Sequence, residues 1–149
     1  IKLGADHVVN VRREDAVEAV REYTGGLGVD YVLECSGAPS GLNDAAHMVN
    51  RGGKVCLAAF PPEDVPVDVA HLVRNNIYVY GIRGEGKSGT HRAAAFMEQK
   101  RFDATMIHTH TFNMDELPEA IRYAKDRVDD AIKGIVNNEF AYGKKAVAA

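Results

Sequence analysis

Asp30-Tyr31-Val32-Leu33-Glu34-Cys35-Ser36-Gly37 is the stretch on which the fold turns. Its first part is β-branched, aromatic and apolar, the make-up of a strand, and a Ser-Gly pair ends it. Three more runs share that length and character: His7-Val8-Val9-Asn10-Val11, Val55-Cys56-Leu57-Ala58-Ala59 and Ile77-Tyr78-Val79-Tyr80. The four are centred near residues 8, 32, 56 and 80, each 24 positions after the last. Helical stripes fill the gaps. Ala16, Val17, Val20 and Tyr23 share one face between Asp15 and Tyr23, and Gly25-Gly26 stops the segment. Leu42, Ala45, Ala46 and Val49 do the same between Ser40 and Val49, ahead of Gly52-Gly53. Asp68 to Val73 makes a short third helix. Strands alternating with helices predict βα units, and continuous apolar strands predict a parallel sheet covered on both faces. The period also suits a leucine-rich solenoid, but the Leu/Asn framework of that repeat is missing.

Beyond the fourth run the pattern predicts a loop over Arg83–Gly89 and a helix over Thr90–Gln99. A strand over Met106–Phe112, a helix over Asp115–Lys125 and a last strand over Ala131–Val136 follow, with Asn113 and Glu116 spaced as a capping box. The polar, Ala-rich tail after them is expected to fray.

With 149 residues, 46% hydrophobic and 26% charged, the chain has the make-up of one ordinary globular domain and neither a disordered nor a fibrous one. No run approaches the roughly 18 apolar residues of a membrane span. Eighteen Lys+Arg against 21 Asp+Glu leave a net charge of −3. The charges are interspersed, which excludes a basic face for nucleic acid and a polybasic run for a membrane surface. Cys35 and Cys56 lie in apolar stretches and are too few for a disulfide scaffold or a structural zinc site. They read as reduced core residues of a cytoplasmic protein. Ile1-Lys2-Leu3-Gly4 reads as the last turn of a helix with its closing glycine, so the chain is expected to be a piece of a longer protein.

Two strand ends are candidates for ligand contact. Glu34-Cys35-Ser36-Gly37-Ala38-Pro39 and Ala58-Ala59-Phe60-Pro61-Pro62 place small residues where ligands sit in open α/β sheets. The same residues are ordinary turn formers. Gly81-Ile82-Arg83-Gly84-Glu85-Gly86-Lys87-Ser88 satisfies a phosphate-cradling P-loop pattern between a strand and a helix. Against that reading, only about 60 residues follow it, no later strand ends in a magnesium-holding Asp, and Gly89 weakens the helix start. His108-Thr109-His110 puts two histidines on one side of a strand; no third ligand is suggested nearby, so surface or interface histidines are the plainer reading. His7, His47, His71 and His91 fit no catalytic spacing.

Other stretches carry a family resemblance. Leu3-Gly4-Ala5-Asp6-His7-Val8-Val9-Asn10 resembles the entry to the third nucleotide-domain strand of medium-chain, zinc-dependent alcohol dehydrogenases. Gly25 to Gly37 resembles the same family's next unit, as does Arg51-Gly52-Gly53-Lys54-Val55. Ile107-His108-Thr109-His110-Thr111-Phe112 through Glu119-Ala120 and Ala131-Ile132-Lys133-Gly134-Ile135-Val136 resemble its closing segments, most of all in the threonine, sorbitol and other polyol dehydrogenases. The resemblance implies an α/β fold: an incomplete Rossmann-type parallel sheet, strands 3 to 6, with helices on both faces. Residues 1–100 would be the C-terminal part of the nucleotide-binding domain and 101–149 an α/β segment returning to the catalytic domain. It implies hydride transfer between an alcohol or polyol and NAD or NADP, with zinc polarising the substrate oxygen. Cys35, Ser36 and Gly37 would flank the adenosine side. Ala58, Ala59, Phe60, Ile82 and Arg83 would meet the nicotinamide end, and Lys133 would lie near the phosphates. The Gly86-Lys87-Ser88 match would then be a coincidence. A homodimer or homotetramer would form through the uncharged edge strand 77–80.

The departures from the family are as informative. Its Gly-rich dinucleotide fingerprint, the acidic residue that holds the ribose, the Cys, His and Glu ligands of the catalytic zinc and the four cysteines of the structural zinc have no counterpart in this sequence. The strand around Val8 is left without its family neighbour, and the 149 residues are expected to be catalytically inactive by themselves.

Overall fold

Asp15 starts the first helix, α1 (Ala16–Tyr23), by accepting the backbone N–H groups of Val17 and Glu18 at 2.8 and 2.9 Å. The computed structural model describes residues 1–84, 86–100 and 103–137. They fall into two units, Ile1–Thr90 and His91–Ala149. After α1 come β1 (Val29–Glu34), α2 (Gly41–Met48), β2 (Val49–Leu57), α3 (Val69–Arg74), β3 (Tyr78–Gly81) and α4 (Gly86–Glu98), within which the division falls.

The three strands of the first unit form a parallel sheet in the order β1-β2-β3. Its register sets Val32 beside Val55 and Val55 beside Val79. That valine row faces α2. Ala45 and Val49 close over Val55, which is 0% exposed, with Val29, Leu42, Leu57 and Ile77 packed around them. Alanine at 45 lets the helix approach the sheet closely; a larger residue there would hold it off. Gly28 has φ +84°, and a Cβ on it would lie 2.6 Å from the Met48 carbonyl oxygen, so the start of β1 fits against the end of α2 only without a side chain. Arg21 ties α1 to the same place, donating to the His47 carbonyl at 2.6 and 3.1 Å and to that of Gly26 at 2.9 Å.

Three expectations are corrected. No strand forms at 7–11: the segment has no partner strand among the described residues, and an isolated strand cannot satisfy its own backbone groups. His7 instead stacks on Tyr23, centroids 4.0 Å apart. The helices recorded against the sheet pack on the valine face and not on both. The opposite face shows Leu33 55% exposed and Tyr78 62% exposed, with Tyr31 and Tyr80 joined through their hydroxyls. Cys56 is buried as expected, but Cys35 is exposed, because β1 ends at Glu34 and the chain there turns into a loop.

In the second unit β4 (His108–Asn113) and β5 (Lys133–Asn137) pair in parallel, with α5 (Leu117–Asp126) between them in sequence. The expected elements are present with shifted ends. The anticipated capping box forms, with the Asn113 N–H donating to the Glu116 carboxylate at 2.7 Å. Phe112 is the buried anchor: the Tyr123 ring meets it edge-on at 5.2 Å, and Gly134 passes beneath it, where a Cβ would lie 3.3 Å from the ring. The tail expected to fray, from residue 138 on, lies outside the described residues.

Val55→Ala should cost about 2 kcal/mol, since it removes two methyl groups from the one fully enclosed side chain of the sheet. Urea denaturation should show a lower midpoint with an unchanged slope.

Candidate cofactor cleft

The carboxyl ends of the three strands lie side by side, and one carboxylate organises the first of them. Glu34, the last residue of β1, is almost wholly buried. Its Oε1 accepts the Ser36 N–H at 2.7 Å, the Gly37 N–H at 3.2 Å and the Ser36 hydroxyl. The Ser36 Oγ in turn accepts the Ala38 N–H at 3.1 Å. Burial alone would raise the Glu34 carboxyl, but these donors outweigh it and hold the group below its usual value of 4.5. The chain therefore turns around a fixed negative charge that lies against the first residue of α2: a Cβ on Gly41 would come 2.9 Å from Oε1.

The turn so formed closes against the end of β2. Gly37 has φ +65°, and a Cβ there would stand 2.7 Å from the Phe60 carbonyl oxygen. The Ala58 N–H donates to the Glu34 carbonyl at 2.8 Å, and the Ile82 N–H to that of Leu57 at 3.0 Å, so the three tips are knitted by backbone. Beyond β2 and β3 a cleft of about 500 Å³ opens between Leu57–Pro61 and Gly81–Gly84. Phe60 is 75% exposed, and Ile82 and Arg83 are also open to solvent. On the other side, a second hollow of about 540 Å³ lies beside Glu34–Ser36, between Val11 and the start of α2.

This geometry brings Ala58, Ala59, Phe60, Ile82 and Arg83 to one cleft and sets Cys35, Ser36 and Gly37 on the adjoining tip. Lys133 is the exposed first residue of β5, in the second unit. Of the P-loop pattern, Glu85 and the side chain of Lys87 lie outside the described residues. The histidine pair of β4 does not converge on a ligand: His108 Nε2 lies 2.9 Å from Thr111 Oγ1, and the His110 ring packs against Tyr123 at 5.1 Å. The Glu34–Pro39 segment stands out in the sequence, but the acceptor role of its carboxylate does not. A carboxylate at a strand end two residues before Ser-Gly is the available signal, since the turn N–H groups two and three residues on need an acceptor.

An open cleft at the strand tips, lined by Ala58, Ala59, Phe60 and Ile82, has the room and the small residues that a flat ring such as nicotinamide needs. Among the described residues no Cys, His, Asp or Glu side chain lines it, so they offer zinc no ligand there.

Residues 1–99 match the zinc-binding dehydrogenase family, and the chain belongs to it. It is 28% identical over 136 residues to sorbitol dehydrogenase of Bacillus subtilis, covering 91% of this chain and 38% of that protein. It is 33% identical over 115 residues to L-threonine 3-dehydrogenase of Alteromonas mediterranea, covering 77% and 34%. An alcohol dehydrogenase structure from Thermotoga maritima superimposes with a TM-score of 0.79 at 26% identity, over 89% of this chain and 38% of that one. The chain thus spans little more than a third of the length of the relatives it matches.

Glu34→Gln should lower stability by about 1.5 kcal/mol, the low end for hydrogen bonds to a charged group because Ser36 is open to water. The depressed value also sets a pH dependence. The carboxylate's contribution is complete above its unfolded value of 4.5 and is lost as pH falls through the lower folded value. Thermal melts should therefore converge for wild type and Glu34→Gln as pH drops below 4.5, with the gap widest near neutrality.

Proposed function

We propose that this chain is the cofactor-side portion of a zinc-dependent alcohol or polyol dehydrogenase that uses NAD or NADP. The single observation that carries the reading is the open cleft at the tips of β2 and β3, in a chain of the zinc-binding dehydrogenase family. The nicotinamide, when bound, supplies the hydride-accepting chemistry. Phe60 and Ile82 would cover the ring and keep water from it, and Ala58 and Ala59 would let it lie close to the backbone. Cys35, Ser36 and Gly37 would border the adenosine half, with Arg83 available to an anionic group at the cleft mouth. Lys133 is assigned to the cofactor phosphates on the family resemblance alone. Residues 1–100 would belong to the nucleotide-binding domain and 101–149 to the segment that returns to the catalytic domain. Zinc and the substrate alcohol would be held by sequence that the relatives have and these 149 residues lack. Among the described residues no helix is long and apolar enough to cross a membrane, and the two unpaired cysteines suit a reducing cytoplasm.

Self-association belongs to the same reading. The Ile82 N–H points to β2, so by strand alternation the N–H groups of Tyr78 and Tyr80 do too, and that of Val79 faces the free edge. Pairing of two such edges about a two-fold axis would make a dimer.

Two measurements test this. NADH titrated into the chain should bind, and Ile82→Glu, which puts a like charge beside the dinucleotide, should weaken it about tenfold, equivalent to about 1.4 kcal/mol. No NAD reduction with ethanol, threonine or sorbitol is expected. Magnesium-ATP binding that collapses in Lys87→Ala, without NADH binding, would overturn the reading in favour of a P-loop. In sedimentation, Val79→Pro should convert a dimer to monomer, because it removes only the outward donor; a dimer undiminished in that variant would refute edge pairing.

A further inference from the structure

His47, Asp68 and His71 converge where α2 ends and α3 begins, each offering a ligand atom within 4.8 Å of the other two. They are 21 and 3 residues apart in sequence, so no linear motif announces them. The site stands at the opposite end of the sheet from the cofactor cleft. His47 comes just before Val49, the first residue of β2, whereas the cleft begins at Leu57, its last.

The surrounding hydrogen bonds hold these groups in place before any ion arrives. Asn43, one helical turn ahead of His47 on the same face of α2, donates to the Pro66 carbonyl at 3.1 Å and accepts the Asp68 N–H at 3.0 Å. This clamps the start of α3 beside α2. Asp68 caps α3 through Oδ1, which accepts the His71 N–H at 2.9 Å. Its second oxygen has no hydrogen bond among the described residues. His71 Nε2 lies 3.2 Å from the Ala46 carbonyl oxygen. A carbonyl only accepts, so Nε2 carries the proton and Nδ1 the lone pair, facing only Asn75 Nδ2 at a long 3.4 Å. A histidine whose far nitrogen is anchored on a backbone carbonyl is the usual arrangement of a metal ligand. The His47 ring lies against that of His71, centroids 3.9 Å apart, and its nitrogens have no hydrogen bond among the described residues. The nearby Arg21 cation is spent on backbone carbonyls, including that of His47.

We propose that His47, Asp68 and His71 form a binding site for one divalent transition-metal ion of the zinc class. Two imidazoles and a carboxylate are a ligand set for such an ion, with water completing the shell on the exposed Asp68 side. Ligands of a tetrahedral zinc stand about 3.4 Å apart, so a small side-chain rotation closes the gap. The site holds its ion away from the nicotinamide cleft and braces α2 against α3; it does not depend on the cofactor reading.

Calorimetric titration of the 149-residue chain with zinc chloride, after removal of metals by a chelator, tests this. One equivalent should bind, and His47→Gln and Asp68→Asn should each weaken binding at least tenfold, the smallest loss expected even for an outer partner. Asp68→Asn keeps an oxygen for the helix cap, so it remains informative should His47→Gln unfold. The paired variant His108→Gln, His110→Gln should bind as wild type does. Cobalt substituted for zinc should give a spectrum without a thiolate charge-transfer band, which excludes Cys35 and Cys56. Absence of one-site binding, binding within twofold of wild type in Asp68→Asn, loss of binding in the β4 histidine variant, or a thiolate band would each overturn the site and leave the tilted His47–His71 ring contact as packing.

Discussion

Parallel strands have no hairpin to hold them together, so their register rests on side-chain packing, and here on one row: Val32, Val55 and Val79. Val55 sits between the other two, and Ala45 of α2 and Val49 close over it. Slipping any strand by one residue would turn its valine to the opposite face and bring a tyrosine, lysine or cysteine under the helix. Every later feature of the first unit inherits this register. It brings the ends of β1, β2 and β3 level, so that the Glu34 turn meets Phe60 and a cleft opens where β2 and β3 finish.

At that level edge the chemistry passes from side chains to backbone. The Glu34 carboxylate neutralises two turn N–H groups, Gly37 removes the one Cβ that would collide with Phe60, and two backbone hydrogen bonds join the tips. The result is a surface of small residues with two apolar side chains standing free. The open cleft thus lies at the strand tips, and the His47, Asp68 and His71 cluster lies at the far end of α2.

The two faces of the sheet have different fates. The valine face is closed by α2, while Tyr31, Leu33, Tyr78 and Tyr80 leave the other apolar and open. Tyr31 gains a partner in Tyr80, and that contact together with the Cys56 thiol raises its hydroxyl above the ordinary tyrosine range. An uncharged edge at Tyr78–Gly81 adjoins this face.

The number, order and parallel sense of three strands, the helix between each pair, the glycine stops and the family were legible in the 24-residue repeat and its motifs, because periodicity and turn residues are local properties. So were the positions of the strand tips, since ligands gather where such strands end. The strand expected at 7–11 was not decided locally: Val8 and Val9 have strand character, but a strand is a pairing, and no partner is there. Nor could sequence order show that Glu34 turns back to accept N–H groups from its own loop. It could not show that Cys35 leaves the core while Cys56 stays in it, or that the His47 ring meets that of His71 across 24 residues. Those depend on which groups the register and the Asn43 clamp bring within reach, and distance in space is a property of the folded chain alone.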